Sequence, residues 1–209
     1  MSEDMLKHPG LNLGARHPEA HEAGERVVFG FWVFLMSDLI VFGLVFATYA
    51  TMLTPIGLAG GPGPKALFSL SSALLQTAVL LASSFSFGMA SLAMKHHAPR
   101  RNLVAWLVLT LALGLAFLGL ELRDFAQMVA SGAVPSRSGY LSAFFGLVPL
   151  HGLHVAVGVF WLLVMLAQLA TLGLTTAVKT RLLRLALFWH FLDIVWIGIF
   201  SIVYLGGLA

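Results

Sequence analysis

The chain has 209 residues, 59% of them hydrophobic and only 10% charged, with a mean hydropathy of +0.92. Twelve Lys and Arg stand against nine Asp and Glu, and there is no cysteine. That composition excludes an ordinary soluble domain, and the missing thiols exclude a disulfide framework, an iron–sulfur cluster, covalently attached c-type haem and thiolate copper.

Taken from the N-terminus, residues 1–27 read as a cytoplasmic tail. The first 26 hold three basic and five acidic residues and no apolar core, which is not the pattern of a signal peptide. Residues 28–209 read as one transmembrane domain. Lipid offers backbone N–H and C=O groups no partner, so a span of roughly 20 apolar residues has to be a helix unless the chain alternates like a barrel strand, and this one does not. The predicted fold is all-α, a polytopic bundle of five transmembrane helices at about 28–53, 67–94, 103–120, 139–172 and 185–208.

The first predicted span carries Asp38, twelve residues past Arg26 and so about 18 Å along a helix, near mid-membrane. A carboxylate there is costly, which leaves two readings: a proton-relay or ion-site group, or a hydrogen-bonded group packed against a partner subunit. The loop TPIGLAGGPGPK then breaks the helix. The second span has Ser69, Ser72, Gln76 and Ser83 along one side, a stripe that lets helices approach and bond across the contact. After it, KHHAPRRN reads as a solvated basic turn in which His96 and His97 accompany Lys95, Arg100 and Arg101 and where anionic headgroups gather.

The third span ends near Glu121 and Asp124, which are three apart and are expected to form a rim ion pair with Arg123 or Arg137. The fourth is the ambiguous one, because Ser138 to Val178 is 41 residues without formal charge. With five spans, nine basic residues share the side of the N-terminus, against Lys65, Arg123 and Arg137 opposite; six spans would divide them evenly. The positive-inside rule therefore predicts five spans, with the N-terminus cytoplasmic, the C-terminus across the membrane, and Pro149 at a kink or in the first turns of one long helix.

His151 and His154 in the fourth span and His190 and Asp193 in the fifth each have helical i, i+3 spacing. A b-type haem needs histidines facing each other at matching depth, whereas His190 lies near the cytoplasmic end and His151 and His154 come early in a helix entering from outside. They are expected to be hydrogen-bonded, not ligating. Gly152, Ala156, Gly158 and Gly198 offer flat packing surfaces, and Trp32, Trp106 and Trp189 fit an interfacial aromatic belt. The pI of 9.6 is explained by topology signals in short loops, so nucleic acid is not expected as a partner.

Four segments taken together carry a resemblance: FGFWVFLMSDLIVFGLVFATYA around Asp38, LLQTAVLLASSFSFGMASLAMK, YLSAFFGLVPLHGLHVAVGVFWL and FWHFLDIVWIGIFSIVYLGG. With G-x-H-x-x-x-G at Gly152, His154 and Gly158 and W-H-F-x-D-x-V-W from Trp189 to Trp196, the chain resembles subunit III of the haem–copper terminal oxidases. Asp38 stands where the cytochrome c oxidases of that family usually carry Glu. S-D followed by F-A-T-Y-A is similar to the five-helix, bo-type ubiquinol oxidase branch. The third span matches only through Asp124 and Phe125.

The resemblance implies a non-catalytic subunit that binds no haem or copper itself. It would pack directly on subunit I, which carries haem and copper, in a complex with subunits II and IV. It would hold phospholipid in a cleft between helix groups and support assembly and sustained turnover of a proton-pumping quinol oxidase of aerobic respiration. No residue is expected to be catalytic, and the chain is expected in a bacterial inner membrane with a periplasmic C-terminus. Asp38, Gln76, Asp124, His151, His154, His190 and Asp193 are the expected subunit, lipid or buried polar contacts. The alternatives are subunit III of a cytochrome c oxidase, an accessory subunit of nitric oxide reductase, a b-haem membrane anchor and a small ion-coupled transporter.

Overall fold

A computed structural model of the chain describes residues 18–96 and 99–208, apart from the side chains of residues 18–23 and of Ala66. The tail up to residue 17, with Lys7 and Arg16, and His97 of the second loop lie outside the described residues. Five long helices follow one another: α1 Pro18–Met52, α2 Leu70–Lys95, α3 Arg100–Ala130, α4 Gly139–Leu172 and α5 Thr176–Ile199, which runs on through a π-helical segment at Phe200–Leu205. All five are long and apolar enough to cross a membrane. The start of α1 shares a cleft with the last turns of α2, and the start of α2 shares another with the last turns of α3.

The helix ends follow local chemistry. Ser138 starts α4 by accepting the Leu141 N–H, and Thr175 starts α5 by accepting that of Val178, which satisfies donors that a first helical turn leaves open. Between α1 and α2 the chain turns through Ala59 and Gly60, both at positive φ, and Thr54 caps the single turn Pro55–Leu58. Arg100 donates to the Leu169 carbonyl, and Arg181 Nη1 donates to Gln168 Oε1 at 2.8 Å, so two cations close the last turn of α4. Pro149 lies inside α4, which is one continuous helix of 34 residues.

Three boundaries differ from the expected ones. α5 starts at Thr176 and not at 185, so Lys179, Arg181 and Arg184 lie in its first turns. α1 takes in residues 18–27, which the sequence reading leaves to the tail. α3 continues past Leu120 to Ala130, so Glu121 and Asp124 lie within a helix and not at its end. At 31 residues, α3 is about 46 Å long and reaches beyond a hydrocarbon core of about 30 Å.

α5 is the most enclosed helix and α1 the least, with 44% and 11% of their most apolar windows buried. Accordingly, α5 packs on α1, α2 and α4; α2 pairs along its length with α3; and α3 also packs on α4. Trp189 of α5 sits at the centre, 1% exposed, because Gly114 of α3 and Gly158 of α4 leave room for its ring. A Cβ on Gly114 would stand 2.9 Å from that ring. Trp189 is therefore a core plug and not a member of the interfacial belt: its distance along the chain from Arg184 says nothing about which way a central helix points it. Trp32, 47% exposed on α1, remains at the surface.

Candidate functional site

Polar side chains inside the bundle are concentrated along α2, and the hydrogen bonds show why. Ser72 Oγ and Gln76 Nε2 both donate to Asp124 Oδ2 of α3, at 2.6 and 2.8 Å. Further along, Thr77 Oγ1 accepts from Trp196 Nε1 and Ser83 Oγ from Trp189 Nε1, each at 3.0 Å. Ser84 Oγ meets His190 Nδ1 at 2.8 Å, and Ser86 meets Thr110 of α3 at 2.7 Å. α2 thus bonds to both α3 and α5. Each such bond contributes about 0.6 to 2 kcal/mol in lipid, so together they fix the register of three helices that apolar packing alone would leave free to slide.

This pattern corrects and extends the sequence reading. Ser72, Gln76 and Ser83 of the expected stripe do bond across contacts, while Ser69 is exposed and bonds only Ser71. Thr77, Ser84 and Ser86 were not expected partners. Their signal was present as i, i+7 and i, i+9 spacing, but it falls on two faces of the helix because α2 has neighbours on two sides. Gln76 is 1% exposed, and its amide oxygen has no hydrogen-bond partner.

Glu121 and Asp124 form no ion pair with Arg123 or Arg137 among the described residues. Asp124 turns to α2 as above, and Arg137 Nη1 donates instead to the Gly132 carbonyl at 3.2 Å. Glu121 is 3% exposed, with its carboxyl pressed against Gly152 of α4 in the space a Cβ would need. A rim ion pair was expected because both carboxylates precede loop cations. One helical turn separates them, however, and points them inward to different neighbours.

His151, His154 and His190 each have a polar partner within the chain. His151, fully buried, donates from Nε2 to the Leu192 carbonyl of α5 at 3.2 Å, lies edge-on to Phe117 and packs on Trp196. His154 donates from Nδ1 to the Leu150 carbonyl at 2.7 Å and presents Nε2 to Asp38 Oδ2 of α1 at 3.4 Å. A carbonyl can only accept, so Nδ1 carries hydrogen and a neutral ring would face the carboxylate with a lone pair. Asp38 and His154 thus meet in a polar contact between two helices. It ties α1 to α4 at mid-bundle, with the two side chains 18% and 23% exposed.

His190 Nδ1 lies 3.5 Å from Asp193 Oδ2 on the same helix, and both Asp193 oxygens are buried without a hydrogen-bond donor. Among the described residues no group of three or more His, Asp or Glu side chains is arranged to hold a metal ion. The other face of His190 borders a cleft of about 530 Å³ between α1, α2 and α5, walled by Val28, Phe29, Trp32 and Leu183 with Glu25 and Ser91 at its edge. The arrangement joins helices and leaves one apolar groove.

Comparison with known proteins gives the family. The family model described as cytochrome c oxidase subunit III matches residues 7–208. The chain is 49% identical over 195 residues to a cytochrome bo(3) ubiquinol oxidase subunit 3 of Pseudomonas aeruginosa, covering 93% of this chain and 92% of the relative. It is 43% identical to the protein of the same name from Pseudomonas putida, covering 90% and 89%. It is 40% identical to a quinol oxidase subunit 3 of Bacillus subtilis, covering 90% and 91%.

Proposed function

Because the chain belongs to the cytochrome c oxidase subunit III family, we propose that it is the non-catalytic third subunit of a quinol-oxidising, proton-translocating oxygen reductase. Its relatives from three bacteria carry quinol oxidase names, which favours quinol over cytochrome c as the electron donor. Quinol oxidation, oxygen reduction to water and proton movement belong to the partners. Subunit I, holding haem and copper, is the direct neighbour, with subunits II and IV in the same complex. The chain is a multi-pass membrane protein; we place it in the bacterial inner membrane with its N-terminus cytoplasmic and its C-terminus periplasmic, on the basic-residue count.

The observation that carries this reading is the Asp38–His154 tie. It is a polar contact at mid-depth, only partly covered by its own chain, so a neighbouring protein has to shield the remainder from hydrocarbon. The apolar groove between α1, α2 and α5 is suited to phospholipid acyl chains held between helix groups. A b-haem anchor is disfavoured because His151 Nε2 and both nitrogens of His154 already face protein atoms.

Asp38→Asn tests the role. The assembled complex is expected to keep its haem spectrum and most of its initial turnover with a ubiquinol analogue, and to lose activity sooner during sustained turnover or shed this subunit. Abolished initial turnover in an intact complex would instead assign Asp38 to a proton pathway. Turnover with reduced cytochrome c and none with quinol would overturn the choice of donor.

A further inference from the structure

The cleft between α1, α2 and α5 is walled mainly by apolar side chains, and His190 is the one imidazole among its described lining residues. One edge of that ring is held. Ser84 Oγ of α2 lies 2.8 Å from Nδ1 and Asp193 Oδ2 lies 3.5 Å from it, while 44% of the side chain stays exposed. Nε2 is therefore the nitrogen left to meet a ligand. Both Asp193 oxygens are buried without a donor, a costly placement for a carboxylate that serves to orient the ring beside it.

The α1 wall is aromatic. Phe29 and Trp32 stack with ring centroids 6.2 Å apart and planes 21° from parallel, yet they are 65% and 47% exposed, which leaves flat surface for a further ring. No Lys or Arg stands among the described lining residues, so a phosphate would find no cation there, and Asp193 beside the imidazole disfavours any anion. Acyl chains fit the same walls but leave Nε2 without a partner. The ligand these features select is neutral, flat and apolar, and it carries a hydrogen-bonding oxygen. A neutral imidazole serves either form of that oxygen. When Nδ1 accepts the Ser84 hydroxyl, Nε2 holds hydrogen and donates to a carbonyl; when Nδ1–H faces Asp193, Nε2 offers its lone pair to a hydroxyl. A quinone and its quinol present those two groups in turn.

We propose that this cleft holds the head group of an isoprenoid quinone, with one ring oxygen on His190 Nε2, the ring along Phe29 and Trp32, and the tail along Leu183 and Leu187. Its volume of about 530 Å³ lies within the ~300–1,000 Å³ of small-molecule sites. Ser84 and Asp193 are positioning residues: they set which nitrogen of His190 carries hydrogen. Resting on the reading that the complex draws on a quinone pool, the assignment adds a place on this subunit where quinone is held.

The test uses the purified complex in nanodiscs of phosphatidylethanolamine and phosphatidylglycerol, with a ubiquinone analogue that carries an azide on its ring. Light-induced adducts are mapped by mass spectrometry to residues 24–32 and 183–190. An excess of decylubiquinone is expected to lower that labelling at least fivefold, and decylbenzene, which has a ring and tail without the oxygens, less than twofold. His190→Leu is expected to lower it about fivefold and Trp32→Ala about threefold, while His190→Gln, which keeps an N–H donor, retains most of it. Trp32 is 47% exposed, so its variant decides the matter even if His190→Leu does not assemble. Equal competition by decylbenzene, or unchanged labelling in His190→Leu and Trp32→Ala, would overturn the proposal. So would a photoreactive phosphatidylethanolamine that labels the same residues and is not displaced by decylubiquinone. Ubiquinol oxidation by the same preparation is scored separately: its failure counts against the choice of donor, whereas failed labelling with turnover intact overturns this site alone.

Discussion

Substituting Gly152 tests the central packing. A Cβ at this position would overlap the Glu121 carboxyl, since it would stand 2.9 Å from the carboxyl carbon and closer to Oε2. Neither partner can yield easily: Glu121 is 3% exposed, and Gly152 lies between His151 and Leu153 on a helix that packs on both α3 and α5. Overpacking of this kind costs about 1–3 kcal/mol. For a chain of this size that corresponds to a fall of about 2–12 °C in melting temperature. Gly152→Ala is therefore expected to lower the temperature at which the subunit melts out of the detergent-purified complex, followed by fluorescence-detected size exclusion.

Glu121→Ala removes the obstructing carboxyl, so the double variant Gly152→Ala with Glu121→Ala should recover most of the loss. The expected coupling is at least about 1 kcal/mol, above the ~0.5 kcal/mol that independent sites show. Losses that simply add would refute the geometry, because they would mean that the added methyl and the carboxyl do not compete for the same space.

Trp189→Phe deletes the bond to Ser83 and is expected to destabilise by about 1–2 kcal/mol. Ser83→Ala in that background should then cost almost nothing more, and a thermal-melt double-mutant cycle checks this. Gly114→Leu, by filling the slot of the Trp189 ring, should prevent stable insertion of the subunit, read as its absence from the purified complex; normal recovery would contradict the wedge. Arg100→Met together with Arg181→Met should raise hydrogen exchange several-fold at the amides of 168–173, while the middle of α4 stays protected.

The number of helices was legible because charges mark their ends and the positive-inside count decides between five and six spans. The fourth span held as one helix through Pro149 for that reason. The extent of α3 was not legible: Glu121, Arg123 and Asp124 look like a loop, and only the donors of Ser72 and Gln76, some fifty positions earlier, let Asp124 stay inside. Trp189 was misplaced because belt statistics depend on distance from cations, whereas its actual position depends on two glycines on other helices. The polar positions could be picked out one by one, since a carboxylate or imidazole among apolar residues stands out. Their pairing could not. Asp38 and His154 meet across 116 positions, and nothing local to either names the other. The π-helical turn at Phe200–Leu205 left no sequence mark.

The most direct test is what a tagged copy brings with it when native membranes are dissolved in mild detergent. A large polytopic partner with low-spin and binuclear haem–copper bands, oxidising ubiquinol, is the predicted result. A chain recovered alone, or one that displays a haem band of its own after separation from every other polypeptide, would contradict it.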